Sequence, residues 1–142
     1  MTHQTDVTIE ELIENFEFLG DWEQRFTYLL DLGKKLPPMP PEDCNEQTRV
    51  HGCQATVYLK ERVINNGDTR IEFDATADAF LVNGLIAILR IIYNAKTPQQ
   101  ILDTDIQGIL KQLDLEEHLS PTRRNGLHSM VKRIQSLAAA HQ

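Results

Sequence analysis

The stretch Ala55-Thr56-Val57-Tyr58-Leu59-Lys60-Glu61-Arg62-Val63-Ile64-Asn65-Asn66-Gly67-Asp68-Thr69-Arg70-Ile71-Glu72-Phe73-Asp74-Ala75 decides the fold. Its first part, residues 55–64, is rich in Val, Tyr, Leu and Ile. Its last part, residues 69–75, alternates: Ile71, Phe73 and Ala75 fall on one side, Arg70, Glu72 and Asp74 on the other. That two-residue period is the pattern of a strand with one covered face. Asn66-Gly67 lies between the two runs and tolerates the positive φ angles of a tight turn, so the segment is expected to form an antiparallel hairpin. A short strand around Arg49–His51 is expected to add a third member to the sheet.

Helical signals surround the hairpin. Upstream, Thr8 and Glu11 have capping-box spacing ahead of Ile9, Leu12, Ile13 and Phe16, which share one helical face. After Gly20, Asp21 caps a second helix with the apolar stripe Trp22, Phe26, Leu29 and Leu30; Gly33 and then Pro37 are expected to end it. Pro37-Pro38-Met39-Pro40-Pro41 lacks the backbone donors for a helix and reads as an extended connector. Downstream, Asp78 is expected to cap a nearly all-apolar helix from about Ala79 to Asn94. Asn83, Ala87, Arg90 and Asn94 form its one polar or small stripe, read as the solvent face. Thr97-Pro98-Gln99-Gln100, Asp105 and Ser120-Pro121 each open a further helix, and the last carries Leu127, Met130, Val131, Ile134 and Leu137. Helices, a small antiparallel sheet and helices again define an α+β fold with helices on one sheet face.

At 142 residues the chain is expected to be a single domain, 1–142, with a core that needs no staples. A net charge of −7 argues against a nucleic-acid binder and against docking on an anionic membrane. The charge is uneven. From Asp6 to Glu23 there are seven carboxylates and no base, whereas after His118 there are four bases and no acid. The first 30 residues lack a basic n-region and an apolar h-region, and no apolar run is long enough for a membrane span. Two cysteines without an export signal suggest free thiols in a reducing cytoplasm.

Few residues are equipped for chemistry. No phosphate loop, His-Glu-x-x-His or Gly-x-Ser-x-Gly motif is present, and of the five histidines His3 and His141 lie near the ends. Arg49-Val50-His51-Gly52-Cys53-Gln54 stands apart because a cysteine follows a glycine just before a strand. Glycine permits a sharp turn and close approach to the sulfur, and Arg49 and His51 are expected to favour the nucleophilic thiolate. Three readings of Cys53 stay open on the residues alone. It is a buried structural thiol, a metal ligand together with Cys44 and His51, or a reactive thiol. A reversible Cys44–Cys53 disulfide is the rival redox reading.

The ordered set Asp21-Trp22-Glu23, Tyr28, Leu32-Gly33 and Leu36-Pro37 continues through Val50-His51-Gly52-Cys53-Gln54-Ala55-Thr56-Val57-Tyr58-Leu59. Asp78, Gly84-Leu85-Ile86-Ala87, Thr97-Pro98, His118-Leu119-Ser120-Pro121-Thr122-Arg123 and Gly126-Leu127 follow. In this order the chain resembles the SufE family of cysteine desulfuration proteins over nearly its whole length. The resemblance implies a SufE/IscU-like fold with N-terminal helices, a small antiparallel sheet and C-terminal helices, and places Cys53 on a loop beside the sheet. It implies that Cys53 receives persulfide sulfur from a SufS-type cysteine desulfurase, stimulates that enzyme and passes sulfur to a SufBCD-type assembly complex. The pyridoxal phosphate belongs to the desulfurase, so this chain needs no cofactor or metal of its own. Gly52, Gln54, His51 and Arg123 are the supporting residues, with Gly52 expected as pivot and Arg123 as steadying the loop; the family pattern assigns no role to His51, which is expected as a helper base on its position beside the loop alone. A homodimer is the family's common assembly. Ala55 and Tyr58 depart from the usual Ser and Trp, changes expected to affect fit more than chemistry. Cys44 matches no family position and is expected to be a bystander. Gln54 and His118-Leu119-Ser120-Pro121 resemble the SufE branch more than its Csd-type relative.

Overall fold

The computed structural model describes residues 7–142; His3 lies outside them. Helices α1 (Ile9–Leu19) and α2 (Trp22–Lys34) come first, followed by a 3-10 turn at Pro41–Asp43. The hairpin strands β1 (Val57–Asn66) and β2 (Asp68–Ala77) follow. Four helices complete the chain: α3 (Phe80–Tyr93), α4 (Pro98–Asp103), α5 (Ile106–Leu113) and α6 (Pro121–Ala140), with a second 3-10 turn at Glu116–His118. The α+β class read from the hairpin and its flanking helices is the observed one.

The caps work as their chemistry dictates. Thr8 accepts from the Glu11 amide while the Glu11 side chain takes the Thr8 amide, and Thr97 with Gln100 repeats the reciprocal pair. Asp21, Asp105 and Ser120 accept from Gln24, Gly108 and Arg123 amides. Gly20, at φ +78°, closes α1. Residues 37–40 belong to no helix or strand, Pro40 has φ −57° and ψ 137°, and the turn begins at Pro41.

The hairpin is in register from Val57↔Ala77 to Asn66↔Asp68, with Gly67 at φ +94° at its tip. Ile71, Phe73 and Ala75 are buried, as their alternation requires. Leu59, Phe73 and Ala75 meet Ile86 and Leu89 of α3 and Met130 and Ile134 of α6, so the helices cover one face of the sheet. On the other face Arg62 pairs with Glu72 and Asp74. The expected third strand is reduced to a single bridge, Arg49↔Tyr58. Val50 N–H donates to Val57 O and Leu59 N–H to Thr48 O, both at 2.8 Å, before Gly52 turns the chain away at φ +90°.

Helix α3 corrects two further expectations. Asp78 does not cap it: Ala79 is the N-cap and lends no side chain, while Asp78 accepts from the Thr56 amide at 3.0 Å and ties the start of β1 to the end of β2. Nor does its polar stripe face solvent. Asn83 both accepts from Ala77 N–H (2.9 Å) and donates to Ala77 O (3.0 Å). Arg90 Nε donates to Phe73 O (2.9 Å), Asn94 accepts from Phe73 N–H (2.8 Å), and Ala87 is fully buried. The stripe faces the outer edge of β2 and pairs backbone groups that no third strand reaches. Beyond α3 the chain continues the cover, with Ile71 N–H donating to Lys96 O and Ala95 N–H to Ile71 O.

The side of α3 next to this stripe lies against α2. A Cβ on Gly84 would sit 2.5 Å from Leu29 O, and one on Gly33 would sit 2.7 Å from Gly84 N. Gly33 therefore lies within α2 as a contact residue and does not terminate the helix; α2 runs on to Lys34.

Replacing Asn83 with Ala leaves both Ala77 backbone groups without their side-chain partner and should cost about 1–3 kcal/mol. Arg62→Ala, on the exposed face, should cost under about 1 kcal/mol. Urea unfolding of the two variants checks the order; equal losses would show that the sheet edge does not depend on α3.

Candidate functional site

The loop from His51 to Thr56 joins the bridged segment to β1 and is laid along one face of α6. Three contacts hold this region. Gly52 packs so closely that a Cβ there would be 2.5 Å from Ser129 Oγ. Cys53 Sγ, half-buried, is 3.6 Å from Gly126 O, a weak thiol hydrogen bond. Arg133 donates to Arg49 O (3.1 Å) and Gln47 O (2.5 Å), clamping the chain just ahead of the loop. Gly126, Ser129 and Arg133 recur at i, i+3 and i+7, the spacing of one helical face. Gly126 also makes room for the sulfur, since a Cβ on it would lie 3.5 Å from Sγ.

Cys53 opens onto a cleft of about 280 Å³. Val82 and Leu85 of α3 and Leu127 and Met130 of α6 give it apolar walls, and Gln54, Asp78 and Arg123 supply its polar lining. The structure thus brings Gln54 and Arg123 to the same cleft as Cys53, with Gly52 forming the turn beneath them. His51 is not brought there. Its side chain is 68% exposed and is paired with Glu46 at 2.6 Å, so the helper-base expectation is corrected. Ser129 and Arg133, which shape the loop, escaped sequence reasoning. Their only signal was helical spacing from Gly126, and nothing local linked them to residues 47–52.

The expected thiolate is also corrected for this conformation. Burial pushes the Cys53 thiol above its ordinary value, and the positive field of Arg49 offsets that only in part. Arg49 Nε is itself buried without a hydrogen-bond partner. Cys44 lies apart from the cleft lining, its Sγ 3.7 Å from Pro40 O, and both cysteines are free thiols. Among the described residues no three His, Cys, Asp or Glu side chains gather to hold a metal ion. Cys44, His51 and Cys53 are directed to Pro40, Glu46 and Gly126 respectively, which supports neither the metal reading nor the disulfide.

Fold and site together define an α+β protein that presents one thiol in an apolar cleft between a hairpin and two helices. The family model for SufE, described as an Fe-S metabolism associated domain, matches residues 10–138, and the chain belongs to that family. Its structure is also similar to the solution structure of a hypothetical protein from Thermus thermophilus. The TM-score is 0.73 at 25% sequence identity, covering 99% of this chain and 98% of that one. No helix among the described residues is long and apolar enough to cross a membrane.

Two outcomes follow for the thiol. Alkylation of Cys53 by iodoacetamide should rise with pH to a midpoint above that of an unperturbed cysteine, and Arg49→Gln should move the midpoint higher still. A midpoint below the ordinary value would show that burial does not control this sulfur. Arg133→Ala, which frees the chain ahead of the loop, should speed alkylation several-fold at fixed pH; peptide mass spectrometry of quenched samples reads both.

Proposed function

We propose that Cys53 accepts a sulfur atom from a SufS-type cysteine desulfurase and carries it as a persulfide toward iron–sulfur cluster assembly, with a SufBCD-type complex as recipient. The single observation that carries this reading is the placement of one thiol at an apolar cleft in a chain of a family associated with iron–sulfur metabolism.

The exchange conserves atoms and electrons. The desulfurase holds sulfur as its own cysteine persulfide. Cys53 thiolate attacks the terminal sulfur, a new S–S bond forms on Cys53, and the donor's S–S bond breaks with its cysteine leaving as thiolate. No external oxidant or reductant enters.

The proton on Cys53 must go first. Inside the cleft burial holds it on; displacement of the loop toward water removes that penalty and leaves Arg49's field to favour the anion. Gly52, already in the left-handed region, is the pivot. Arg123, exposed at the start of α6 and lining the cleft, supplies positive charge beside the sulfurs as negative charge shifts between them. Between transfers the apolar walls keep small thiols from the persulfide, which suits work in a reducing cytoplasm. Cys44, held at Pro40, takes no part.

Incubation with a purified SufS-type desulfurase and cysteine should add one sulfur atom to the peptide bearing Cys53, and Cys53→Ser should lose stimulation of the enzyme. Cys44→Ala should keep both. Sulfur found on Cys44, or full stimulation by Cys53→Ser, would falsify the assignment.

A further inference from the structure

Phe80 is a large apolar side chain that the fold leaves in the open. It is 79% exposed, although α3 is otherwise the most apolar and most buried of the helices. Its neighbours Ala79 and Leu81 pack against the core, and Phe80 does not. A lone exposed aromatic carries no meaning by itself. Its position does: Phe80 opens α3 directly after Asp78 and Ala79, both of which line the Cys53 cleft, and two residues before Val82 in its wall.

Sulfur exchange brings two sulfurs to a bonding distance of about 2 Å, so the donor's surface must come up to the mouth of this cleft, where the displaced loop presents Cys53. A specific interface covers about 800 Å² on each partner, a patch roughly 16 Å in radius. Phe80 is one peptide bond from Ala79 of the cleft lining, within reach of a patch of that radius centred on Cys53. Aromatic side chains that become buried near the centre of an interface carry a large share of its binding energy. The opposite occupant, a second copy of this chain, would cover the thiol and bar the donor from it.

We propose that Phe80 is the anchor by which a cysteine desulfurase docks over the Cys53 cleft. The complementary surface then carries an apolar pocket for the ring next to its persulfide and an acidic group facing Arg123. This rests on the sulfur-acceptor reading and adds to it the residue that sets affinity for the donor, separate from the residue that does the chemistry.

The test titrates wild-type protein, Phe80→Ala, Phe80→Trp, Ile64→Ala and Cys53→Ser into a purified SufS-type desulfurase with saturating cysteine, reading half-saturating concentration and maximal rate. Phe80→Ala should raise the half-saturating concentration about tenfold with little loss of maximal rate. Its Cys53 alkylation rate should match wild type, which a collapsed cleft would not allow. Phe80→Trp should restore affinity. Ile64 is exposed on β1 on the order of 20 Å along the strand from the loop, and its Ala variant should behave as wild type. A half-saturation within twofold of wild type for Phe80→Ala, alongside an inactive Cys53→Ser, overturns the anchor and leaves the acceptor reading standing. A fully active Cys53→Ser instead removes the acceptor reading and the anchor with it. A wild-type dimer that Phe80→Ala converts to monomer in sedimentation, with unchanged half-saturation, assigns the ring to a second copy and overturns the proposal.

Discussion

The outer edge of β2 is the constraint on which the rest of the molecule depends. A two-stranded sheet has two open edges, and a buried edge must find hydrogen-bond partners or lose stability. Here α3 supplies them from side chains: Asn83 on Ala77, Arg90 and Asn94 on Phe73, with Lys96 completing the series at Ile71. These contacts fix α3 both in distance and in register along β2. Because α3 is also pressed against α2 through Gly33 and Gly84, the hairpin, α3 and α2 form one stack with little freedom to slide.

That stack determines where the cleft lies. Ala77 is locked by Asn83, so Asp78 and Ala79 leave β2 in a defined direction, and Asp78 reaches back to the Thr56 amide. The cleft's far wall comes from α6, whose Met130 and Ile134 reach the sheet and whose Gly126 meets Cys53. Val82 and Leu85 of α3 belong to the buried core as well as to the cleft lining. Core packing and the environment of the sulfur are therefore one energetic problem. A change that loosens α3 changes what the thiol feels.

The elements that local chemistry dictates could be read directly. The alternation at residues 69–75, the Asn-Gly turn, and the caps at Thr8, Asp21, Thr97, Asp105 and Ser120 need only neighbours within a few positions. The failures share one cause. Asn83, Arg90 and Asn94 have the spacing of a solvent stripe, and periodicity cannot distinguish water from an unpaired strand edge as the polar partner. Gly33 resembles a helix stop unless the approach of α3 is known. Asp78 has the composition of a cap, but the competing Thr56 amide lies across the sheet. In the site, Cys53, Gln54 and Arg123 were found by an ordered motif and do share a cleft. His51 was drawn in by sequence proximity, yet its ring turns to Glu46. Arg133 was missed because its partners, Gln47 and Arg49, are far away in the chain.

The proposed sulfur carriage sets opposed demands on Cys53. Attack on a persulfide needs a thiolate, whereas safe carriage needs a sulfur that small thiols cannot reach. In the cleft desolvation dominates and the sulfur is sheltered; Arg49 stands close enough to act on it but does not prevail. Burial and the field of Arg49 are the two influences on this thiol, and His51 is not in the cleft. The attachment of the loop to α6 is correspondingly modest where the sulfur is concerned. Cys53 makes one long thiol contact with Gly126, while the stronger guanidinium bonds of Arg133 fall upstream, at Gln47 and Arg49. The sulfur itself therefore has one weak tether to α6, while Gly52 beside it packs on Ser129 and the guanidinium bonds hold the chain ahead of Val50.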